Sequence, residues 1–150
     1  MNQNNLRTQR RQHHLHSTEK LAAYLERHVL GFAGPLVAEK FSGGQSNPTF
    51  KITTATGQYV LRRKPPGELL KSAHAVDREF KVLAALANTD VPVAAVYHLC
   101  EDDEVIGSMF YLMEFKAGRV FWDPALPDLD NAQRAAIFDE MNRVMVALHS

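Results

Sequence analysis

Between two strand-like runs, the segment Phe41-Ser-Gly-Gly-Gln-Ser-Asn-Pro-Thr-Phe50 sets two adjacent glycines among small polar residues. Glycine carries no Cβ, so Gly43 and Gly44 allow a sharp turn and a close approach of the backbone to a ligand. The amides from Gly44 through Gln45 and Ser46 to Asn47, with the Ser46 hydroxyl, could donate to phosphate oxygens. No Gly-Lys-Ser/Thr ends the loop, and a strand rather than a helix follows it. Those two facts exclude a Walker-type loop and a dinucleotide fingerprint. An ordinary hairpin loop accounts for the same residues.

The run Tyr59-Val-Leu-Arg-Arg-Lys64 places Val60, Arg62 and Lys64 on one strand face and Tyr59, Leu61 and Arg63 on the other. A cation in a middle strand is costly unless it is paired or aimed at an anion. Arg63 and Lys64 read as solvated residues of a sheet edge. Arg62 has a candidate partner in Glu79, within Ala75-Val-Asp-Arg-Glu-Phe80 and beside the apolar stripe of a predicted helix. A guanidinium fixed by a carboxylate is oriented to meet phosphates. Alternatively, Glu79 belongs to a local surface cluster with Asp77, Arg78 and Lys81, worth about 0.3–0.5 kcal/mol per pair.

In Phe110-Tyr-Leu-Met-Glu-Phe-Lys-Ala-Gly118 an apolar strand runs into a connector. The backbone of Glu114, Phe115 and Lys116 should lose its strand partners there, leaving groups that could read the edge of a base. A buried strand meeting a loop is the plainer explanation.

These residues need a framework. Leu21, Leu25 and Val29 recur at helical spacing, with Ser17 or Thr18 as N-cap and Gly31 as the stop. Residues 36–42, 49–55 and 58–64 read as short strands, the last two joined by a turn at Thr56-Gly57. A helix follows over about 73–87, with Val76, Phe80, Leu83 and Leu86 as its stripe. Strands over 91–99 and 107–115 flank an acidic turn, and a final helix begins at Asp130, capped reciprocally by Gln133. The order implies an α+β fold, with a five-stranded antiparallel sheet and one crossing helix. The last helix has an apolar stripe that little remaining chain could cover, so a further C-terminal domain is expected.

The 150 residues, 45% of them hydrophobic and eight of them Phe, suffice for one domain with a core. Seventeen basic and seventeen acidic residues cancel, which gives no field to recruit nucleic acid or an anionic membrane. The strands also lack the aromatics interleaved with basic residues that a barrel binding single strands would use. No apolar run reaches the roughly 18–20 residues of a membrane span. The lone Cys100 rules out an internal disulfide and suits a reducing, cytoplasmic setting. Residues 1–17, rich in Asn, Gln and His, read as a mobile tail. His13, His14 and His16 have no carboxylate or cysteine nearby to complete a metal site.

Taken in order, a Gly-rich hairpin loop, a strand cation, a helix glutamate and a strand ending in a hinge follow the plan of the protein-kinase small lobe. The stretches FSGGQSNPTF, YVLRRKPPG, SAHAVDREFKVLAAL and YLMEFKAG resemble the aminoglycoside phosphotransferase and choline-kinase branch of that superfamily. They are most similar to the kinase-like domains found with acyl-CoA dehydrogenases. The resemblance covers about residues 18 to 150. It implies a nucleotide-binding small lobe over 18–117, then a hinge connector and the first large-lobe helix over 118–150. Gly43 to Asn47 match the loop over the ATP phosphates, Val60 the adenine roof, and Arg62 the strand lysine, a place where this branch often has arginine. Glu79 matches the helix partner, Met113 the back of the adenine pocket, and Glu114 to Lys116 the hinge. The Ala147-Leu-His-Ser150 ending resembles the close of the first large-lobe helix.

The resemblance further implies transfer of the ATP γ-phosphoryl group to a hydroxyl of a small molecule, with Mg²⁺ neutralising the phosphates. A hydroxyacyl-CoA or related metabolite is expected as acceptor rather than an antibiotic. The family's His-Gly-Asp-type catalytic loop and metal-binding Asn and Asp match nothing before Ser150, so this chain is expected to be inactive alone. A nucleotide-holding or regulatory module without turnover is the alternative.

Overall fold

A computed structural model of the chain describes residues 15, 17–42, 47–65 and 75–149. In sequence order the elements are α1 (Thr18–His28), β1 (Val37–Lys40), β2 (Thr49–Thr53), β3 (Gln58–Arg63), α2 (Val76–Leu86), β4 (Val96–Cys100), β5 (Phe110–Glu114) and α3 (Asn131–Leu148). The strands form one antiparallel sheet in the order β1-β2-β3-β5-β4. This is the α+β fold with a five-stranded antiparallel sheet that the order of elements in the sequence implies.

Strand alternation divides the sheet into two faces. On one, Phe50, Ile52, Leu61, Phe110 and Leu112 join Leu21 and Leu25 of α1 in the main core. α1 begins where the Ser17 side chain accepts from the Lys20 amide at 3.2 Å, as its sequence predicts. It ends earlier than expected, because Val29 turns extended and is buried rather than carrying the helix to Gly31. Leu15, assigned to the tail by composition, is buried in the same core: an apolar side chain next to the helix start has a surface to cover. Residues 1–14 and 16 lie outside the described set.

The other face carries Val60, Arg62, Tyr111 and Met113, with α2 lying against β4 and β5. Phe80 of α2 meets the Tyr111 ring edge-on, with centroids 6.1 Å apart. The β2–β3 turn is pinned by Thr54, whose Oγ1 accepts from the Thr56 and Gly57 amides at 3.2 and 3.1 Å.

Several boundaries move. β4 starts at Val96 rather than 91, since Pro92 has no N–H to give and the ladder is joined through the Ala95 carbonyl. β5 starts at Phe110, because Gly107 (φ +83°) still belongs to the acidic turn, its amide donating to Asp103 O at 2.7 Å. The described part of the second helix starts at Val76.

Arg63 also departs from expectation. It is 6% exposed, not a solvated edge residue. β3 is the central strand, hydrogen-bonded on both sides, and Lys64 next to it is half-buried. Burial pushes the Arg63 guanidinium below its ordinary pKa.

α3 is capped as its sequence predicts, with Asp130 accepting from the Gln133 amide at 2.8 Å and the Gln133 side chain accepting from the Asp130 amide at 3.1 Å. None of its residues is buried, and Phe138, Met141, Met145 and Leu148 are exposed. Among the described residues, no helix is long and apolar enough to cross a membrane.

Candidate functional site

Arg62 lies in the middle of the sheet, opposite Thr49 of β2 on one side and Tyr111 of β5 on the other. Residues facing one another across antiparallel strands point to the same face. Arg62 and Tyr111 there reach α2, where Glu79 sits one turn along from Val76, which is wholly buried.

Glu79 and Arg62 form a two-pronged ion pair, with Nε donating to Oε2 at 2.6 Å and Nη2 to Oε1 at 3.2 Å. Tyr111 Oη donates to Oε2 at 3.1 Å, and Asn47 Nδ2 to Oε1 at 3.0 Å. The carboxylate thus accepts four hydrogen bonds from three partners. Arg62 Nη1 donates further to Thr49 Oγ1 at 3.0 Å and, at 3.5 Å, to the Asn47 carbonyl. A guanidinium has five N–H donors. One Nη2 hydrogen remains without a partner among the described residues, and the side chain is 27% exposed.

The electrostatics agree with the geometry. Burial opposes ionisation of Glu79, but the hydrogen bond and charge of Arg62, helped by Tyr111 and Asn47, outweigh it and hold the carboxyl below its ordinary value. The hydrogen bond to Glu79 raises Arg62 despite burial. Burial, then the negative charge of Glu79, drives the Tyr111 phenol upward, so it stays a donor. A hollow of about 470 Å³, lined by Arg78, Glu79, Val82, Leu83 and Tyr111, opens beside the pair.

Val60 and Met113 face each other across β3 and β5, two residues along from the Arg62–Tyr111 pair and on the same face. Lys51 flanks Val60 from β2, and its Nζ lies 4.6 Å from the centre of the Phe115 ring. The hinge differs from expectation at Glu114. Its amide is not free but donates to Ala95 O at 2.8 Å. Its carboxylate accepts from the Ala95 amide at 3.3 Å and from Lys116 Nζ at 2.7 Å. Phe115 and Lys116 lie beyond the last pair of the β3–β5 ladder.

The structure therefore brings Arg62, Glu79 and Asn47 into one cluster, and sets Val60 and Met113 beside it on the same sheet face, with Phe115 just past the end of β5. Gly43, Gly44, Gln45 and Ser46 lie outside the described residues. Sequence reasoning missed Tyr111 and Thr49, and assigned Asn47 only a backbone amide where its side chain is the group in use. Alternation could have found Tyr111, which sits two residues before Met113 and so on its face. What alternation lacks is the pairing of β3 with β5.

Among the described residues, no group of three or more His, Cys, Asp or Glu could hold a metal ion. Glu79, the carboxylate of the cluster, is already committed to Arg62, Tyr111 and Asn47, so the cluster itself offers no carboxylate to Mg²⁺.

Known proteins resemble this chain in sequence and in fold. The family profile described as the phosphotransferase enzyme family matches residues 37–150. Acyl-CoA dehydrogenase family member 10 of Mus musculus is 48% identical over 131 residues, which are 84% of this chain and 12% of that protein. Acyl-CoA dehydrogenase family member 11 of Homo sapiens is 42% identical over 141 residues, 91% of this chain and 18% of that protein. A crystal structure from Ralstonia eutropha, assigned as an aminoglycoside phosphotransferase, superposes with a TM-score of 0.76 at 55% identity. That match covers 88% of this chain and 37% of the other. The chain thus spans under a fifth of the length of these two curated relatives. With the fold, the sequence and the matched span in agreement, the chain belongs to the phosphotransferase enzyme family.

Proposed function

We propose that this chain is the ATP-binding part of a phosphotransferase that moves the γ-phosphoryl group to a hydroxyl of a small molecule. The observation that carries the reading is the Arg62–Glu79 pair, bidentate, partly open to solvent, and joining β3 to α2. Its geometry suits recognition of phosphate oxygens by a preoriented guanidinium.

In this reading residues 18–117 form the nucleotide lobe. Arg62 holds the α- and β-phosphates, and the amides of Gly43 to Asn47 cover the phosphate chain. Val60 and Met113 enclose the base, whose edge meets the backbone of Glu114 to Lys116. Bound Mg²⁺ would supply charge neutralisation during transfer; we assign its ligands, and the base that activates the acceptor, to sequence outside this chain. Because relatives carry acyl-CoA dehydrogenase names, a hydroxyacyl-CoA or related metabolite is the acceptor class to try first.

Calorimetric titration of full-length protein with ATP and GTP, in wild type and Arg62→Ala, tests the reading. Losing the guanidinium should weaken phosphate-dependent binding by about 1–3 kcal/mol, the range for a hydrogen bond to a charged group. Equal affinity in the two proteins would refute the role of Arg62. Absence of nucleotide binding by the wild type would refute the whole reading.

A further inference from the structure

Glu79 is met from three separate parts of the chain. Arg62 reaches it from β3 and Tyr111 from β5. Asn47, which closes the glycine-rich segment just before β2, reaches it from the loop side. Asn47 is 3% exposed and Tyr111 is 2% exposed. A buried amide and a buried phenol are costly to leave unpaired, and both of these turn a donor toward one carboxylate.

The consequence is mechanical. Asn47 touches both members of the ion pair, through side-chain Nδ2 to Glu79 and through its main-chain carbonyl oxygen to Arg62 Nη1. A shift of α2 away from the sheet would break the Asn47, Tyr111 and Arg62 bonds together. A shift of the loop's end would likewise disturb Glu79. We propose that Asn47 and Tyr111 are positioning residues for Arg62, acting through Glu79, and that Asn47 ties the start of β2 to α2 and so holds the guanidinium in place. This inference rests on the nucleotide reading above and adds the means by which Arg62 is oriented for it.

The test is a mutant cycle on full-length protein, with ATP affinity and melting temperature measured for each variant. Asn47→Ala and Tyr111→Phe should each weaken ATP binding about tenfold in the wild-type background, as expected for one hydrogen bond to a charged group. In a Glu79→Ala background neither should change it by more than about twofold, because residues acting through a common partner are not additive. Asn47→Asp, of the same shape, turns a second carboxylate toward Glu79 and should weaken binding more than Asn47→Ala does. Should Asn47→Ala fail to fold, Tyr111→Phe, which removes a single oxygen, decides the matter.

Losses that persist in full without Glu79 would overturn the inference while leaving the nucleotide reading in place. So would variants that melt earlier yet bind ATP as tightly as wild type. A wild type that binds no ATP would remove both.

Discussion

Glu79→Gln keeps the side chain's length and removes its charge, so it isolates what the carboxylate does. The wild-type group accepts from Arg62 Nε and Nη2 at 2.6 and 3.2 Å, from Asn47 at 3.0 Å and from Tyr111 at 3.1 Å. An amide has one acceptor oxygen. Turned toward Arg62 Nε and Tyr111, it leaves its NH₂ facing Arg62 Nη2 and Asn47 Nδ2. Asn47 can flip to offer its carbonyl, but a guanidinium has no acceptor to offer. One charge-assisted bond is lost and the others become neutral in their acceptor. Hydrogen bonds to charged groups contribute about 1.5–3 kcal/mol in buried sites. Arg62 and Glu79 are 27% and 34% exposed, so solvent screening lowers the expected effect. About 1–2 kcal/mol remains, or roughly 5–30-fold in affinity.

The assay is titration of full-length Glu79→Gln with ATP and, separately, with adenosine. Only ATP reports on the guanidinium, so its affinity should fall while that of adenosine holds. The loss should also depend on pH. The Glu79 carboxyl sits below its ordinary value when folded, so its contribution is complete above about pH 4.3 and disappears as pH falls through the folded value. The stability gap between wild type and variant should therefore be constant near neutrality and close in acid. ATP affinity within twofold of wild type, or an equal loss for adenosine, would refute the reasoning.

Two further outcomes concern the opposite face of the sheet. His98 Nε2 lies 2.9 Å from Tyr24 Oη, and its ring is 5.1 Å from that of His28. Burial, then the nearby His28, pushes the His98 pKa down. Its neutral form is the folded form, so its contribution is whole above about pH 6.5 and is lost as pH falls through the lower folded value. Between pH 7.5 and 5.5, on the order of the range where histidine titrates, the melting temperature of His98→Gln should fall less than that of wild type. Parallel curves would show that His98 does not contribute. In the core, Phe110 is fully buried and packs against Tyr24 with ring centroids 6.1 Å apart. Phe110→Ala should cost about 3–5 kcal/mol by urea denaturation, whereas Phe110→Leu, closer in volume, should cost under about 1.5 kcal/mol.

Local signals survived the passage from sequence to structure. Ser17 and the Asp130–Gln133 pair cap their helices because capping is settled within three residues. The Leu21, Leu25 and Val29 stripe is buried for a similar reason: one helix face needs one surface. The failures are non-local. Arg63 reads as solvated because alternation tells which face a side chain shares but not what lies over that face. Placing β3 between β2 and β5 required the strand order, which chain order does not supply. Tyr111 escaped notice for the same cause. In the run Phe110-Tyr-Leu-Met-Glu114 it looks like one more apolar residue, until the register sets it opposite Arg62.

Arg62 and Glu79 succeed where Tyr111 fails because charge restricts partners more than hydrophobicity does. A guanidinium in a central strand must find an anion, and the chain offers few carboxylates on an adjoining apolar stripe. Asn47 falls between these cases. Its amide could satisfy itself in many ways, and only the structure shows that it spends a donor on the carboxylate holding Arg62. Residues under the strongest electrostatic constraint were therefore legible in order along the chain. Those that orient them became visible only when three separate segments converged on one side chain.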